Sequence, residues 1–320
     1  MLATNIESYI VVASLFVISF PLILIATCTF YAVSRNIKYN NSFGSILKFR
    51  IVGAIIFALC FLVWIIPITL VELDENHGLF IFVNQRIGQM LQFSWYVIIA
   101  SNLFGAINRL FAVKFPLIYY KYFDTKARKL FIAGIFTFVI CNDYLNLYYF
   151  ISVACTFHYI PDLFIFTFVN TSCGTFMGFY IDLIVGTVNT AIIICIDFLT
   201  LLILIKQHNL KINSTIIRNQ NKSMLKEYVL FFQCFIQSII SFFVVSLYYI
   251  ISKLHLTRLE KFFSTTFPWI LSFLVDLLIT IIFYIILKNI KPSIVKNHGS
   301  NGGTNKSNAK NILNNKFAQG

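Results

Sequence analysis

The chain has 320 residues, of which 58% are hydrophobic, 17% aromatic and only 12% charged, with a formal net charge of +13. A soluble domain carries about 25% charged residues; half that fraction leaves too little polar surface to coat a globule and excludes a large soluble core. The basic residues sit in stretches between apolar runs, which fits loops facing anionic lipid rather than the basic patch of a nucleic-acid-binding protein.

Apolar runs long enough to cross a bilayer, at ~20 residues per crossing, recur seven times. In chain order they are predicted at Tyr9–Val33, Ile51–Val71, Ile87–Asn108, Leu130–Val153, Tyr180–Ile205, Tyr228–Ser252 and Phe262–Leu287. No basic stretch precedes the first run, which is itself of span length, so no cleavable signal peptide is expected. The fourth run carries the polar segment "CNDYLN", with Asn142, Asp143 and Asn146.

The loops set the orientation. Between the first and second runs lie Arg35, Lys38, Lys48 and Arg50. Between the third and fourth lie Arg109, Lys114, Lys121, Lys126, Arg128 and Lys129, and between the fifth and sixth Lys206, Lys211, Arg218, Lys222 and Lys226. With the six lysines from Lys288 to Lys316, one side holds 21 basic residues. The other side holds four: Arg86, Lys253, Arg258 and Lys261. The positive-inside rule then places the amino terminus outside and the carboxyl terminus in the cytoplasm. The expected fold is an all-α membrane protein, a seven-transmembrane-helix bundle over residues 1–290. The stretch 291–320 contains "NHGSNGGTNKSNAKNILNN" and reads as a disordered cytoplasmic tail. No internal repeat of fixed period is visible.

Four of the twelve acids fall within the predicted spans: Asp143, Asp182, Asp197 and Asp276. An acid at mid-membrane costs about 2.5–3.5 kcal/mol on insertion scales, so it normally faces protein or water and has a task. Asp182 is near the outer edge and reads as wetted, whereas Asp197, in the cytoplasmic half, reads as an acceptor between helices. Asp143 and Asp276 are deeper, and ligand contact stands beside an interhelical or cation-site role for each. Gln85, Gln89, Gln92 and Tyr96 recur at helical spacing on the third run, and Trp269, Phe273, Asp276 and Thr280 do so on the seventh. Either these faces line a cavity open to the outside, or they join helices through hydrogen bonds. On the first reading the ligand-binding candidates are Gln89, Gln92, Tyr96, Asp143, Trp269, Phe273 and Asp276.

Enzyme signatures such as HExxH, GxSxG and GxxxxGK are absent. The histidines, His77, His158, His208, His255 and His298, are scattered and read as loop residues. No catalytic activity, cofactor or metal site is expected.

Arg109 closes the third run. By position alone it is a basic anchor that snorkels into headgroups. The segment "NRLFAVKFPLIY", Asn108 to Tyr119, resembles the "DRY-x-A-(I/V)-x-x-P-L-x-Y" segment of rhodopsin-like G-protein-coupled receptors: Asn108 stands at the acid and Arg109 at the arginine, with Ala112, Val113, Pro116, Leu117 and Tyr119 in register. The nematode serpentine receptor class x (Srx) family of chemosensory receptors is closer, since an Asn-Arg-Phe-like triplet replaces Asp-Arg-Tyr there. The chain is also similar to that family at "CTFHYIPDLFIFTFVNTSC", "YIDLIVGTVNTAIIICIDFLTLLIL" and "PWILSFLVDLLITIIFY". It departs in lacking Asn-Pro-x-x-Tyr in the seventh run, Cys-Trp-x-Pro in the sixth and the usual Asn in the first. Leu277 follows Asp276 where the Srx pattern has Gly.

The resemblance implies a chemosensory receptor of the plasma membrane, including that of a sensory cilium. Such a receptor detects an external small molecule or peptide and activates a heterotrimeric G protein. Membrane lipid is then a partner and nucleic acid is not. Asn108, Arg109 and Pro116 would belong to the coupling switch, and Glu227, at the cytoplasmic start of the sixth run, would restrain Arg109, because neutral Asn108 cannot hold it by charge. The alternative from another class is a small ion-coupled transporter or channel using the membrane acids. The topology places Cys155 and Cys173 outside, while Cys28, Cys60, Cys141, Cys195 and Cys234 fall within runs. An oxidising exterior favours a bridge between the outer two, worth roughly 3 kcal/mol for a loop of this size. The usual partner at the top of the third run is missing, as Gln85 to Gly88 contain no cysteine. Asn170, in "NTS", is an outside glycosylation acceptor.

Overall fold

The computed structural model describes residues 2–35, 41–71, 78–119, 129–138, 155–212, 231–232, 235–244, 246–248, 250, 254 and 256–289. Among these residues, five helices are long and apolar enough to cross a membrane. They are α1 (Ile6–Arg35), α2 (Ser42–Leu70), α3 (Gly78–Lys114), α5 (Ser172–Gln207) and α7 (Arg258–Ile282). The fourth and sixth predicted runs are represented by shorter apolar helices, α4 (Lys129–Phe138) and α6 (Phe235–Tyr248). Most of the remainder of those two runs, with Asp143 and Cys141 in one and Cys234 in the other, lies outside the described residues, as do Glu227 and the tail.

Each helix is built from its own local chemistry. α2 begins where the Asn41 side chain accepts from the Gly44 N–H at 2.9 Å, capping the first turn. Near its far end Pro67 removes a backbone donor, and the chain accommodates this with a π-helical turn, Phe61–Ile65, whose next residue, Ile66, donates back to the Phe61 carbonyl. α5 contains a longer π-helical stretch, Met177–Val185. α7 starts with a capping box: the Thr257 side chain accepts from the Glu260 N–H, and the Glu260 carboxylate from the Thr257 N–H.

Two boundaries correct the sequence expectation. α2 starts at Ser42 rather than near Ile51, so Lys48 and Arg50, assigned to a loop, are helical. α3 runs on to Lys114, so Arg109 is one turn inside a helix rather than at its end. Apolar runs mark the lipid-facing length, whereas backbone hydrogen bonding carries a helix on through basic residues.

α2 packs between α1 and α3, α5 lies against α3, and α7 lies against α1. Small residues set the spacing, since a Cβ on Gly53 of α2 would come within 3.2 Å of the Ser94 carbonyl of α3. Gly134 of α4 similarly sits under Phe104 of α3. The outward faces stay apolar: Phe16, Val17, Phe20 and Leu24 on α1, and Ile192, Phe198, Leu199 and Leu202 on α5, are all exposed. In water such faces would aggregate; against lipid they are satisfied.

Between α4 and α5 the chain forms an antiparallel hairpin of β1 (Phe157–Ile160) and β2 (Ile165–Phe168), paired Phe157 to Phe168 and Ile160 to Ile165. Its turn holds Phe164 at a left-handed φ of 56°. Cys155 and Cys173 form a disulfide, with Cα atoms 5.2 Å apart, that ties the two legs together. The hairpin covers one end of the bundle. Asn84 of α3 donates to the Tyr159 carbonyl at 2.7 Å, and the Thr69 and Tyr159 hydroxyls share a hydrogen bond of 3.1 Å. Tyr248 of α6 donates to the Phe166 carbonyl and Thr266 of α7 to that of Phe164, both at 2.9 Å.

Candidate functional site

Directly beneath the hairpin lies an open cleft with a cavity volume of about 40 Å³. Gln92 and Trp95 of α3, Phe157 of β1, Asp182 of α5, Val244 and Tyr248 of α6 and Trp269 of α7 line it. The rings form one continuous layer. Trp269 meets Phe166 at 5.7 Å, Phe57 at 4.8 Å and Trp95 at 6.1 Å between centroids, each edge to face. One turn further along α7, Phe273 stacks on Phe57 at 4.0 Å.

Toward the other end of the bundle two ion pairs, one buried at its acid and one part-buried, cross between helices. Arg109 Nη2 of α3 donates to Asp197 Oδ1 of α5 at 2.7 Å, with Asp197 fully buried. Arg50 of α2 pairs with Asp276 of α7, and its other Nη donates to Gln237 Oε1 of α6 at 3.0 Å. The Gln237 amide then donates to the Asp276 carbonyl at 2.9 Å and to the Thr280 hydroxyl at 3.2 Å. One polar knot thus joins α2, α6 and α7. A second cleft opens between the pairs, with Arg50, Ser101, Gly105, Arg109, Gln237 and Ser238 in its walls. Around Arg109, buried Asn108 accepts from the Tyr119 hydroxyl at 3.3 Å, and Gln207 of α5 donates to the Val113 carbonyl at 3.0 Å. Pro116 opens a short helical turn after Phe115 and is exposed.

The fold separates the residues grouped by spacing. Gln92 and Trp269 reach the cleft. Gln89 instead accepts from Arg86 at 3.1 Å, Tyr96 is buried in the core, and Phe273 packs below the cleft. Asp276 sits in the ion pair with Arg50, the interhelical alternative of its two sequence readings. The helical spacing is real, yet α7 crosses from the cleft to the polar knot within those two turns. Arg50, counted as a loop charge, is only 12% exposed because Asp276 supplies its counter-charge. For Arg109 the carboxylate partner among the described residues is Asp197, an acid expected only as an interhelical acceptor.

Asp182, like Trp95, Phe157, Val244 and Tyr248, lines the cleft without belonging to either spacing group. It lies in the π-helical stretch of α5, where the wider turn shifts side chains off a 3.6-residue register. Its only advance signal was an acid inside an apolar run.

The match of sequence to family covers most of this bundle. A family described as "Serpentine type 7TM GPCR chemoreceptor Srx" matches residues 16–284. The chain belongs to the Srx family. The matched region of this Srx protein takes in both clefts, both ion pairs and the disulfide-closed hairpin, and the family is one of chemoreceptors, not of enzymes. No curated protein matches the chain.

Proposed function

We propose that this Srx-family chain is a chemosensory receptor that binds an external ligand under the hairpin and activates a heterotrimeric G protein at the Arg109 end. In this reading the bundle has seven spans, the hairpin end faces outward, and the carboxyl-terminal side is cytoplasmic. The observation that carries it lies on α7, where Trp269 lines the cleft and Asp276, two turns on, pairs with Arg50. A ligand that moves Trp269 therefore acts on the same rigid helix that holds the polar knot. Ligand affinity for one packing over the other shifts the population between them.

Arg109 is held by Asp197 in the resting packing. Releasing that pair frees a planar guanidinium to meet backbone carbonyls of a docked G protein. In this reading Asp197, rather than Glu227, restrains Arg109. An ion relay has less support, because both described inner acids are already neutralised by arginines. The test is nucleotide exchange on a G protein by the receptor in lipid nanodiscs, run against a ligand panel, beside cation flux in liposomes. Ligand-dependent exchange is expected. Flux without exchange would transfer the chain to the transporter reading.

A further inference from the structure

Gln92 of α3 carries a buried amide whose hydrogen-bonding capacity is unspent. The residue is only 6% exposed and lines the outer cleft. Among the described residues its carboxamide meets no hydrogen-bond partner. Polar side chains inside a membrane bundle normally bond to a neighbouring helix, and leaving a buried amide unpaired is costly. The carboxylate and hydroxyl in the same walls are occupied: Asp182 interacts within the protein, and the Tyr248 hydroxyl donates to the Phe166 carbonyl at 2.9 Å. The rings are occupied as well. Trp95 and Phe157 each meet Trp269 edge to face, at interplanar angles of 79° and 82°. Packed on one another, they give the cleft an apolar wall that Val244 continues. Gln92 lies one turn along α3 from Gly88, the point at which the hairpin backbone touches that helix.

A carboxamide presents N–H donors beside a carbonyl acceptor. A second carboxamide satisfies both at once, each group donating an N–H to the other's carbonyl. A carboxylate offers acceptors alone and brings a negative charge into a cleft that already holds an acid. An ammonium offers donors alone, and a hydrocarbon leaves the amide unpaired. The cavity volume of about 40 Å³ holds about three water-sized groups at roughly 10–15 Å³ each. That is the size of one carboxamide head, and the open mouth lets the rest of the ligand extend outward.

We propose that the ligand of the outer cleft is a neutral primary amide or lactam with an apolar body, its head paired with the Gln92 carboxamide under the hairpin. The inference rests on the receptor reading of this cleft, but its test does not pass through the G protein. Trp95 and Trp269, two of the three tryptophans in the chain, line the cleft. Binding is therefore read from tryptophan fluorescence of the purified full-length protein in lipid nanodiscs. The probes are hexanamide, hexanoate and 2-heptanone, the methyl-ketone isostere of hexanamide that keeps the acceptor and loses the donors. Hexanamide is expected to give a saturable change, with the ketone and the carboxylate each at least about tenfold weaker. Gln92→Leu should lose hexanamide affinity by a similar factor while its unfolding midpoint holds or rises, because it removes an unpaired buried amide. Gln92→Met, an unbranched side chain, should do the same. No saturable response to hexanamide would leave water as the partner of Gln92 and overturn the proposal. So would an equal response to either analogue, or an undiminished response in both variants. A midpoint lowered in both variants would also overturn it, since the amide would then be bonded within the protein. Binding without nucleotide exchange would uphold the amide site and count against the receptor reading alone.

Discussion

Gly88 of α3 lies so close to the hairpin that an added Cβ would stand 2.0 Å from the Phe157 carbonyl oxygen. This contact joins the outer loop to the third span without a covalent bond. Here the bridge lies within the loop, Cys155 to Cys173, and direct backbone contact seats the lid. Gly88→Ala gains up to ~1 kcal/mol of helix propensity, but the obstacle is backbone and cannot swing aside as a side chain would. Overpacking of this kind costs about 1–3 kcal/mol, so net destabilisation is expected. Thermal unfolding of the purified variant, read by tryptophan emission, checks it; an unchanged or higher midpoint would show that the hairpin sits farther out.

The Arg109–Asp197 pair makes opposite predictions for its two members. Asp197→Asn leaves the guanidinium without a counter-charge, so basal nucleotide exchange should rise severalfold while stability falls by roughly 3–5 kcal/mol at most. Arg109→Lys keeps the charge but loses the fixed fork of donors, and coupling should fall at equal surface abundance. Normal coupling by Arg109→Lys would leave that residue a headgroup anchor. Raised basal activity in Glu227→Gln but not in Asp197→Asn would return the restraint to Glu227.

Arg50 and Asp276 are separated by 226 positions and meet inside the bundle. Removing one partner strands a part-buried charge between helices, so Arg50→Met and Asp276→Asn should each reduce the yield of folded protein. Replacing both with apolar residues, Arg50→Met with Asp276→Leu, removes both desolvation penalties and should recover much of the loss. A double variant no better than the worse single one would mean that the Gln237 hydrogen bonds, rather than the charges, hold the knot.

His158 of β1 is half-buried against α3, and burial lowers the pKa of its imidazole, outweighing a backbone hydrogen bond at Thr156 that opposes it. The folded state therefore disfavours the proton. Stability from this group is fully present above the unfolded value near 6.5 and is lost as pH falls below it. The unfolding midpoint should drop between pH 7 and pH 5, and His158→Gln should flatten that part of the profile. A profile unchanged by the substitution would assign the acid sensitivity to other groups.

Topology is open to a chemical test. Asn170 is exposed beside the disulfide-bonded Cys173, and glycan is expected there but not at the triplets beginning at Asn40, Asn213, Asn221 and Asn305. Glycopeptide mapping after expression in a secretory host decides this, and sugar at any of those four inverts the orientation. Reducing the disulfide should cost roughly 3 kcal/mol of stability and loosen the lid without changing which end faces outward.

The membrane class, the apolar helices and the cysteine pair were legible in the chain alone, because each depends on composition or local sequence. Run length marks a helix, a short loop keeps two cysteines near each other, and "NRLFAVKFPLIY" carries its resemblance in one contiguous stretch. The partners of the buried charges were not legible. Asp197 lies 88 positions from Arg109, and in a membrane bundle the lipid-facing and core-facing sides of a helix are both apolar. No amphipathic stripe announces which side turns inward. Helical spacing grouped Trp269 with Asp276, yet packing put one under the lid and the other in the knot. Asp182 reaches the cleft from the π-helical stretch of α5, whose pitch a 3.6-residue count does not contain. Sequence thus determined which segments are helices, while tertiary packing decided which polar groups meet, since a buried charge takes whichever counter-charge the neighbouring helix brings within reach.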